Sequence, residues 1–254
     1  MIRVVVFLVL FTTGYVLNAQ TIETDRPDQT EGASTVPKKS LQIEGGFLHE
    51  LSEMDGVKEL RILVPTTLFR YGLTKTVELR LGAQYERIRN RETQKTNDGL
   101  SDLELGAKVQ LLKKEDSKTR IAFLSHLVLP TGPKELTINK LGTINKLSIS
   151  HELSDKFNLG YNVGYDYFGE GNGNFTYSIV FGMAVYNIFG VYVETYGEFT
   201  DFKKHLSSFD AGITYLLDDS LQLDFSSGTG LNHDMDYLAL GCSINIDMRR
   251  KRKN

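Results

Sequence analysis

The sequence predicts an all-β protein, an up-and-down antiparallel barrel of about twelve strands that crosses a membrane. Three observations point there: apolar and polar residues alternate over segment after segment, these segments are long for strands of a soluble sheet, and the links between them tend to alternate between tight and long. Composition leaves room for this reading. Hydrophobic residues make up 41% of the 254 and the mean hydropathy is −0.23, so apolar residues are spread through the chain rather than gathered in helical spans. With Cys242 as the only cysteine, neither an internal disulfide nor a multi-cysteine metal site is available.

The first element is an export signal. Arg3 precedes a mostly apolar stretch from Val4 to Leu17, and Asn18-Ala19-Gln20 supplies a small residue at the cleavage point, so 1–19 reads as a signal peptide cut after Ala19. No cysteine follows that could carry a lipid anchor. Next, 20–40 reads as a short polar segment on the periplasmic side. Asp25, Asp28 and Glu31 could contact a ligand or plug a pore, but an exposed leader is the simpler expectation.

The barrel reads as 41–248, with strands at 41–50, 59–71, 76–89, 99–112, 118–129, 142–152, 156–168, 174–186, 190–200, 206–217, 220–229 and 236–247. Val77, Leu79, Leu81, Ala83 and Tyr85 share one face of their segment, and Glu78, Arg80, Gln84 and Glu86 the other. Leu103, Leu105, Ala107, Val109 and Leu111 likewise oppose Asp102, Glu104, Lys108 and Gln110. Segments this long match a tilted membrane-spanning strand, which needs about 9–11 residues, better than the usual soluble strand of about 5–6. Links after even strands are tight, as at Gly72-Leu73-Thr74-Lys75 and Asp218-Asp219. Those after odd strands tend to be longer, as at 51–58, 90–98, 130–141 and 230–235. An even strand number lets the sheet close and leaves no edge facing lipid.

Aromatic residues gather near strand ends. Phe69, Tyr71, Phe157, Tyr186, Phe189 and Tyr215 fall toward one rim, and Phe47, Tyr85, Tyr165, Tyr167, Phe199, Phe202 and Tyr237 toward the other. The run Arg249 to Lys253 in the tail 249–254 reads as a solvated end, not as a nucleic-acid site, because basic charge is confined to it.

Several blocks carry a family resemblance: Glu23-Thr24-Asp25-Arg26-Pro27, Leu41-Gln42-Ile43-Glu44-Gly45-Gly46-Phe47, Ile62-Leu63-Val64-Pro65-Thr66 to Arg70-Tyr71-Gly72-Leu73-Thr74, Gly99-Leu100-Ser101-Asp102-Leu103-Glu104-Leu105-Gly106, and Leu129-Pro130-Thr131-Gly132. Together they resemble the transporter family of bacterial outer membranes named after the meta-cleavage pathway of phenol degradation. The leader ending Asn18-Ala19-Gln20 resembles those of the Bacteroidetes. The resemblance implies an outer-membrane channel whose partners are membrane lipids, the barrel-assembly machinery and a small solute, and it does not make phenol the substrate. Many such barrels end on an aromatic residue read by that machinery, and here the last strand runs into Asp247-Met248-Arg249 instead.

With the apolar wall toward lipid, the lumen wall carries Arg61, Glu78, Arg80, Glu86, Asp102, Glu104, Lys108, Arg120, Glu194, Glu198, Asp210 and Asp224. Such a wall can line a polar path for a small solute or pair its charges and close a narrow barrel. No cofactor is implied, and no enzyme. Ser125-His126 and Ser150-His151 invite a hydrolase reading, but neighbours on a strand point to opposite faces. Asn232-His233-Asp234-Met235-Asp236, with His49 and His205, form a weak metal candidate that a solvated hairpin tip also explains.

Overall fold

The computed structural model describes residues 21–112, 117–186 and 188–249; the expected signal peptide and residues 250–254 of the basic tail lie outside them. The described chain forms thirteen strand segments. They are β1 (Ser40–Met54), β2 (Val57–Gly72), β3 (Val77–Asn90), β4 (Thr96–Leu100), β5 (Leu103–Leu112), β6 (Thr119–Leu129), β7 (Gly142–Glu152), β8 (Phe157–Tyr167), β9 (Asn174–Tyr186), β10 (Phe189–Thr200), β11 (Lys204–Asp218), β12 (Leu221–Gly230) and β13 (Asp234–Asp247).

Apart from β4 and β5, each strand pairs antiparallel with its sequence neighbours, and β1 pairs with β13 from Ser40↔Asp247 to Glu53↔Asp234, which closes the ring. β4 and β5 both pair with β3, so they are two pieces of one crossing and the barrel has 12 strands. The single segment expected at 99–112 is thus broken at Ser101-Asp102. The Asp102 carboxylate turns aside there to accept the Gly132 N–H at 2.9 Å and the Thr137 hydroxyl at 2.8 Å, tying down the loop 130–141.

Burial follows the alternation. Leu79, Leu105, Val109, Phe123, Leu127, Ile179, Val193, Ile213, Leu223 and Leu240 point outward and are exposed, while Gln42, Glu44, Glu78, Lys108, Ser148, Glu194, Asp210, Ser226 and Ser243 point inward and are buried. The barrel is therefore inside-out relative to a soluble fold, with its apolar wall outside. Among the described residues no helix is long and apolar enough to cross a membrane.

The structure departs from the sequence expectation in three further places. The first is the link expected over 51–58: β1 and β2 continue to Met54↔Val57 and turn on Asp55 (φ 52°) and Gly56 (φ 79°). Two left-handed residues in a two-residue turn match the twist of the strands they join, and Asp-Gly supplies them at low steric cost. Similar strand extension shortens the links at 201–203 and 231–233, so of the links on that rim only 130–141 is long.

The second departure is a bulge in β2, where pairing with β1 steps from Leu48↔Leu63 to Gly46↔Thr66. Val64 and Pro65 both face outward, and Pro65, lacking an N–H, is suited to such a break in the ladder. The bulge shifts the phase, so Arg61 and Leu63 on one side of it and Leu68 and Arg70 on the other all face inward. The third concerns Tyr237, expected in the outer aromatic girdle. It points inward instead, is 4% exposed, and donates its hydroxyl to Asp210.

A charge placed on the outer wall tests the inside-out arrangement. Leu105→Arg, at the middle of its crossing, is expected to cost about 2–4 kcal/mol in the membrane, measured by urea unfolding from lipid vesicles. An unchanged unfolding free energy would contradict an outer wall in contact with lipid.

Candidate functional site in the barrel lumen

The segment before β1 does not lie outside the barrel as an exposed leader. The Ile22 N–H donates to the Asp219 carbonyl in the β11–β12 turn, and at the other end the Lys39 N–H donates to the Gly72 carbonyl, where β2 meets its turn to β3. Both ends thus sit at the tight-turn rim, and the residues between them loop up into the lumen. Asp25, Thr30, Ala33 and Val36 are buried there. The physical reason is charge: the inner wall of β2, β3 and β5 carries buried cations that need anions, and the leader brings them.

Asp25 is the centre of this seat. Its carboxylate lies 2.6 Å from Arg80, 2.8 Å from Lys108 and 3.3 Å from Arg70. Glu78 bridges Arg70 at 2.9 Å and Arg80 at 3.0 Å; Glu44 adds a 2.7 Å pair to Arg70, and Glu31 of the leader a 2.8 Å pair to Arg80. Burial alone would raise the Asp25 pKa, but the three surrounding cations outweigh it and hold the carboxyl well below the usual carboxylate range. Backbone contacts complete the seat. Asp25 accepts the Gly32 N–H at 2.9 Å, which folds the leader back on itself, and Glu78 accepts the Val36 N–H at 2.8 Å.

Arg26 turns the other way, to Asp224 on β12 at 3.0 Å, and lies over Gly46 and Gly241, which face each other across the β1–β13 seam. A Cβ on Gly241 would meet the Arg26 Nε at 2.4 Å, so glycine makes the room for the guanidinium. On the far wall Glu194 accepts the Gln29 N–H at 2.7 Å and the Thr30 hydroxyl, and Asn162 accepts the Glu31 N–H at 2.7 Å. Burial, with the facing charge of Glu194, pushes the Asp28 carboxyl well above its usual range.

The charged residues expected on the lumen wall fall into several groups. Glu78, Arg80 and Lys108 hold the leader, and Glu194, Asp210 and Asp224 face it from β10 to β12. Glu86 accepts from Arg61 and from Ser101, and Glu104 pairs with the buried His126 at 2.9 Å. Asp102 anchors a loop, Glu198 accepts from Asn174 and Thr200 near the long-loop rim, and Arg120 makes an exposed 3.1 Å pair with Glu23. Sequence reasoning missed Arg70, whose phase the Val64-Pro65 bulge shifts, together with Glu44, Asn162, Tyr192 and Tyr237. For Arg70 the signal was present, because Pro65 inside a strand marks a bulge.

Ser125 donates to Asn145 while its neighbour His126 faces inward, and His151 lies beside Thr119, so these Ser-His neighbours diverge. His205 contacts Tyr177 and stacks on Phe199. Among the described residues no three His, Cys, Asp or Glu side chains converge as a metal site.

Two of the cavities beside the leader open at opposite rims. One of about 610 Å³ opens at the long-loop rim between walls that include Glu50, Arg61, Lys146, Tyr196, Glu198, Ser208 and Tyr237, with Gln29 of the leader on its floor. The other, about 300 Å³, opens at the tight-turn rim between Arg26 to Asp28 and the residues Val180, Tyr192, Thr214 and Gln222.

A family model described as "Putative MetA-pathway of phenol degradation" matches residues 24–247, from the leader through the last strand. The chain belongs to this family. The family model thus spans leader and barrel together, the two parts that make up the site. Among solved structures, the fold is similar to that of an outer-membrane channel from Pseudomonas putida F1, with TM-score 0.76 and 13% identity, over 88% of this chain and 100% of that one. It is also similar to the KdgM porin in complex with disordered oligogalacturonate, with TM-score 0.52 and 11% identity, over 79% of this chain and 98% of that one. No curated protein sequence matches.

Asp25→Ala leaves three buried cations short of an anion and is expected to weaken leader seating by about 3–5 kcal/mol. Glu23→Ala, at the exposed pair with Arg120, is expected to cost about 1 kcal/mol or less. Amide hydrogen exchange of 21–39 reads both, and equal effects would show that Asp25 is not the anchor.

The sign for Asp28 is opposite. A carboxyl with a raised pKa contributes most while protonated, and its contribution falls as pH rises above 3.8, the ordinary value, through the raised one. Asp28→Asn should therefore slow leader exchange at neutral pH and change it little in strong acid; faster exchange at neutral pH would contradict this.

Proposed function

We propose that this protein is an outer-membrane channel that passes small solutes through a narrow polar lumen, without covalent chemistry. The observation that carries the reading is the pair of cavities reaching in from opposite rims to adjacent leader residues, Asp28 and Gln29, inside a polar-walled barrel. A polar wall lets a solute exchange hydration for side-chain contacts on its way through. Family membership and the fold shared with an outer-membrane channel agree with this.

In this reading the signal peptide 1–19 directs export, and the barrel, once folded by the assembly machinery, sits in outer-membrane lipid. Its tight-turn rim, and with it both ends of the leader, faces the periplasm. The partner in transport is a small solute whose size is limited by the space the leader leaves. The charges Glu78, Arg80, Lys108, Arg120 and Asp224 act on it indirectly, by holding the leader, while Arg61 and Glu198 line the wider cavity.

One observation favours a second reading. The leader makes ion pairs on one wall and hydrogen bonds on the other, which suits a closed barrel with a structural or ligand-binding role. Conductance decides between the two. The refolded protein in a planar bilayer is expected to give small, discrete current steps, well below those of open porins of about 16 strands, and Asp25→Ala is expected to enlarge them. A refolded barrel, verified by its heat-dependent gel mobility, that gives no current steps and leaves liposomes impermeable to small sugars and amino acids would overturn the channel reading.

A further inference from the structure

The two cavities meet the same short stretch of wall from opposite sides. On β10, Tyr196 lines the wider cavity and Tyr192 the narrower, with Glu194 between them; on β11, Ser208 lines the wider and Thr214 the narrower, with Asp210 between them. Glu194 and Asp210 are direct cross-strand partners, 1% and 0% exposed, and the leader's Asp28 faces both. The separation of the cavities is therefore made at these three carboxyl groups.

No cation compensates them. The ion pairs among the described residues place Arg70, Arg80 and Lys108 on Asp25, Glu31, Glu44 and Glu78, and Arg26 on Asp224, with none on Asp28, Glu194 or Asp210. The uncharged groups facing the same place are hydroxyls: Tyr192, Tyr237, Ser178, Thr30 and Ser226. The Tyr192 hydroxyl is buried here without a partner, beside Asp210, which shares a hydrogen bond with Glu194, and Ser226, which faces the Tyr237 hydroxyl. They lie together: Gly212, opposite Ser226, lets the Tyr192 ring pass over it, and Gly228, opposite Asp210, does the same for Tyr237, whose hydroxyl reaches Asp210 at 2.5 Å. Buried polar atoms are ordinarily satisfied, so a buried phenol without a partner, beside three carboxyls that no cation pairs with, is a place prepared for a cationic guest.

From this geometry we infer that the step between the two cavities is a selectivity site for small monovalent cations, alkali ions or solutes carrying an ammonium group, with Asp28, Glu194 and Asp210 supplying carboxyl oxygens whose charge an entering cation stabilises, and Tyr192, Tyr237 and Ser226 replacing hydration. The inference rests on the channel reading and names the class of solute that passes. Carboxylates and hydroxyl oxygens are hard ligands suited to such cations, and the two phenol rings add faces that attract an ammonium. An anion crossing the same step meets three carboxyls and no cation to pair with it.

The test is the reversal potential of the full barrel in a planar bilayer across a KCl gradient, repeated with methylammonium chloride. Wild type is expected to favour both cations over chloride. Glu194→Gln combined with Asp210→Asn is expected to lower the preference for K⁺ by roughly tenfold, the scale set by unit charges a few Å from a passing ion in a poorly solvated step. Glu170→Gln, in the exposed loop 168–173, should shift it little. Wild-type current with no preference, or a preference for chloride, overturns the inference and leaves the channel reading standing, and it does so even if the double variant fails to fold. An unchanged preference in a folded double variant, or an equal shift from Glu170→Gln, overturns it too. Absence of any current removes the channel reading and this inference together.

Discussion

The structure depends on the meeting of one carboxylate with three buried cations. Arg70, Arg80 and Lys108 project from β2, β3 and β5 into a space that water only partly reaches, and the strand-borne anions Glu44 and Glu78 do not surround them fully. Asp25 completes the set. Removing two opposite charges from water is costly, and their attraction recovers that cost only when geometry and further hydrogen bonds are good. Here the hydrogen bonds are present: Lys108 also donates to the Gly32 carbonyl at 2.9 Å, and the Asp25 N–H donates to Glu44 at 3.0 Å. Leader and wall are thus one electrostatic unit. The leader cannot leave the seat without stranding charge on both sides.

The wall across the lumen follows a different rule. From β9 to β13 the inward groups are carboxyls, phenols and small hydroxyls, and the only nearby guanidinium is the leader's own Arg26. Half of the interior is held by paired ions and the other half by hydrogen bonds of the leader's backbone and Thr30 to Glu194. The two cavities that open at the rims reach this second half at Tyr192 and Tyr196.

The barrel was legible in the sequence because its signal is periodic and repeated. Residues such as Leu79 and Leu105 against Glu78 and Lys108 give the phase of a strand without knowledge of its partner, and twelve such crossings reinforce one another. What escaped had no periodic signature. The leader's Glu-Thr-Asp-Arg-Pro is equally polar whether it meets water or a polar lumen, so its burial becomes visible only when Arg70, Arg80 and Lys108 are seen to converge. Arg70 itself lay out of phase until the bulge at Val64-Pro65 is counted. The Asp55-Gly56 turn was readable from local chemistry but was masked by the polar residues around it, which suit an extended hairpin tip as well as a loop. Tyr237 has the composition of a girdle residue, and the hydrogen bond to Asp210 that draws it inside depends on a residue on another strand.

The glycine pair at the seam bears on how the molecule is put together. Gly46 and Gly241 belong to the first and last strands, and the guanidinium that fills the space above them also holds Asp224 on β12. Arg26 therefore braces the ring closure from within, like a strut set behind a joint before the joint is sealed. Drawing a looped chain with Asp25, Arg26 and Glu31 through the mouth of a finished ring would strip those charges of water before they met their partners. Zipping β1 against β13 around a leader already in place would avoid that barrier.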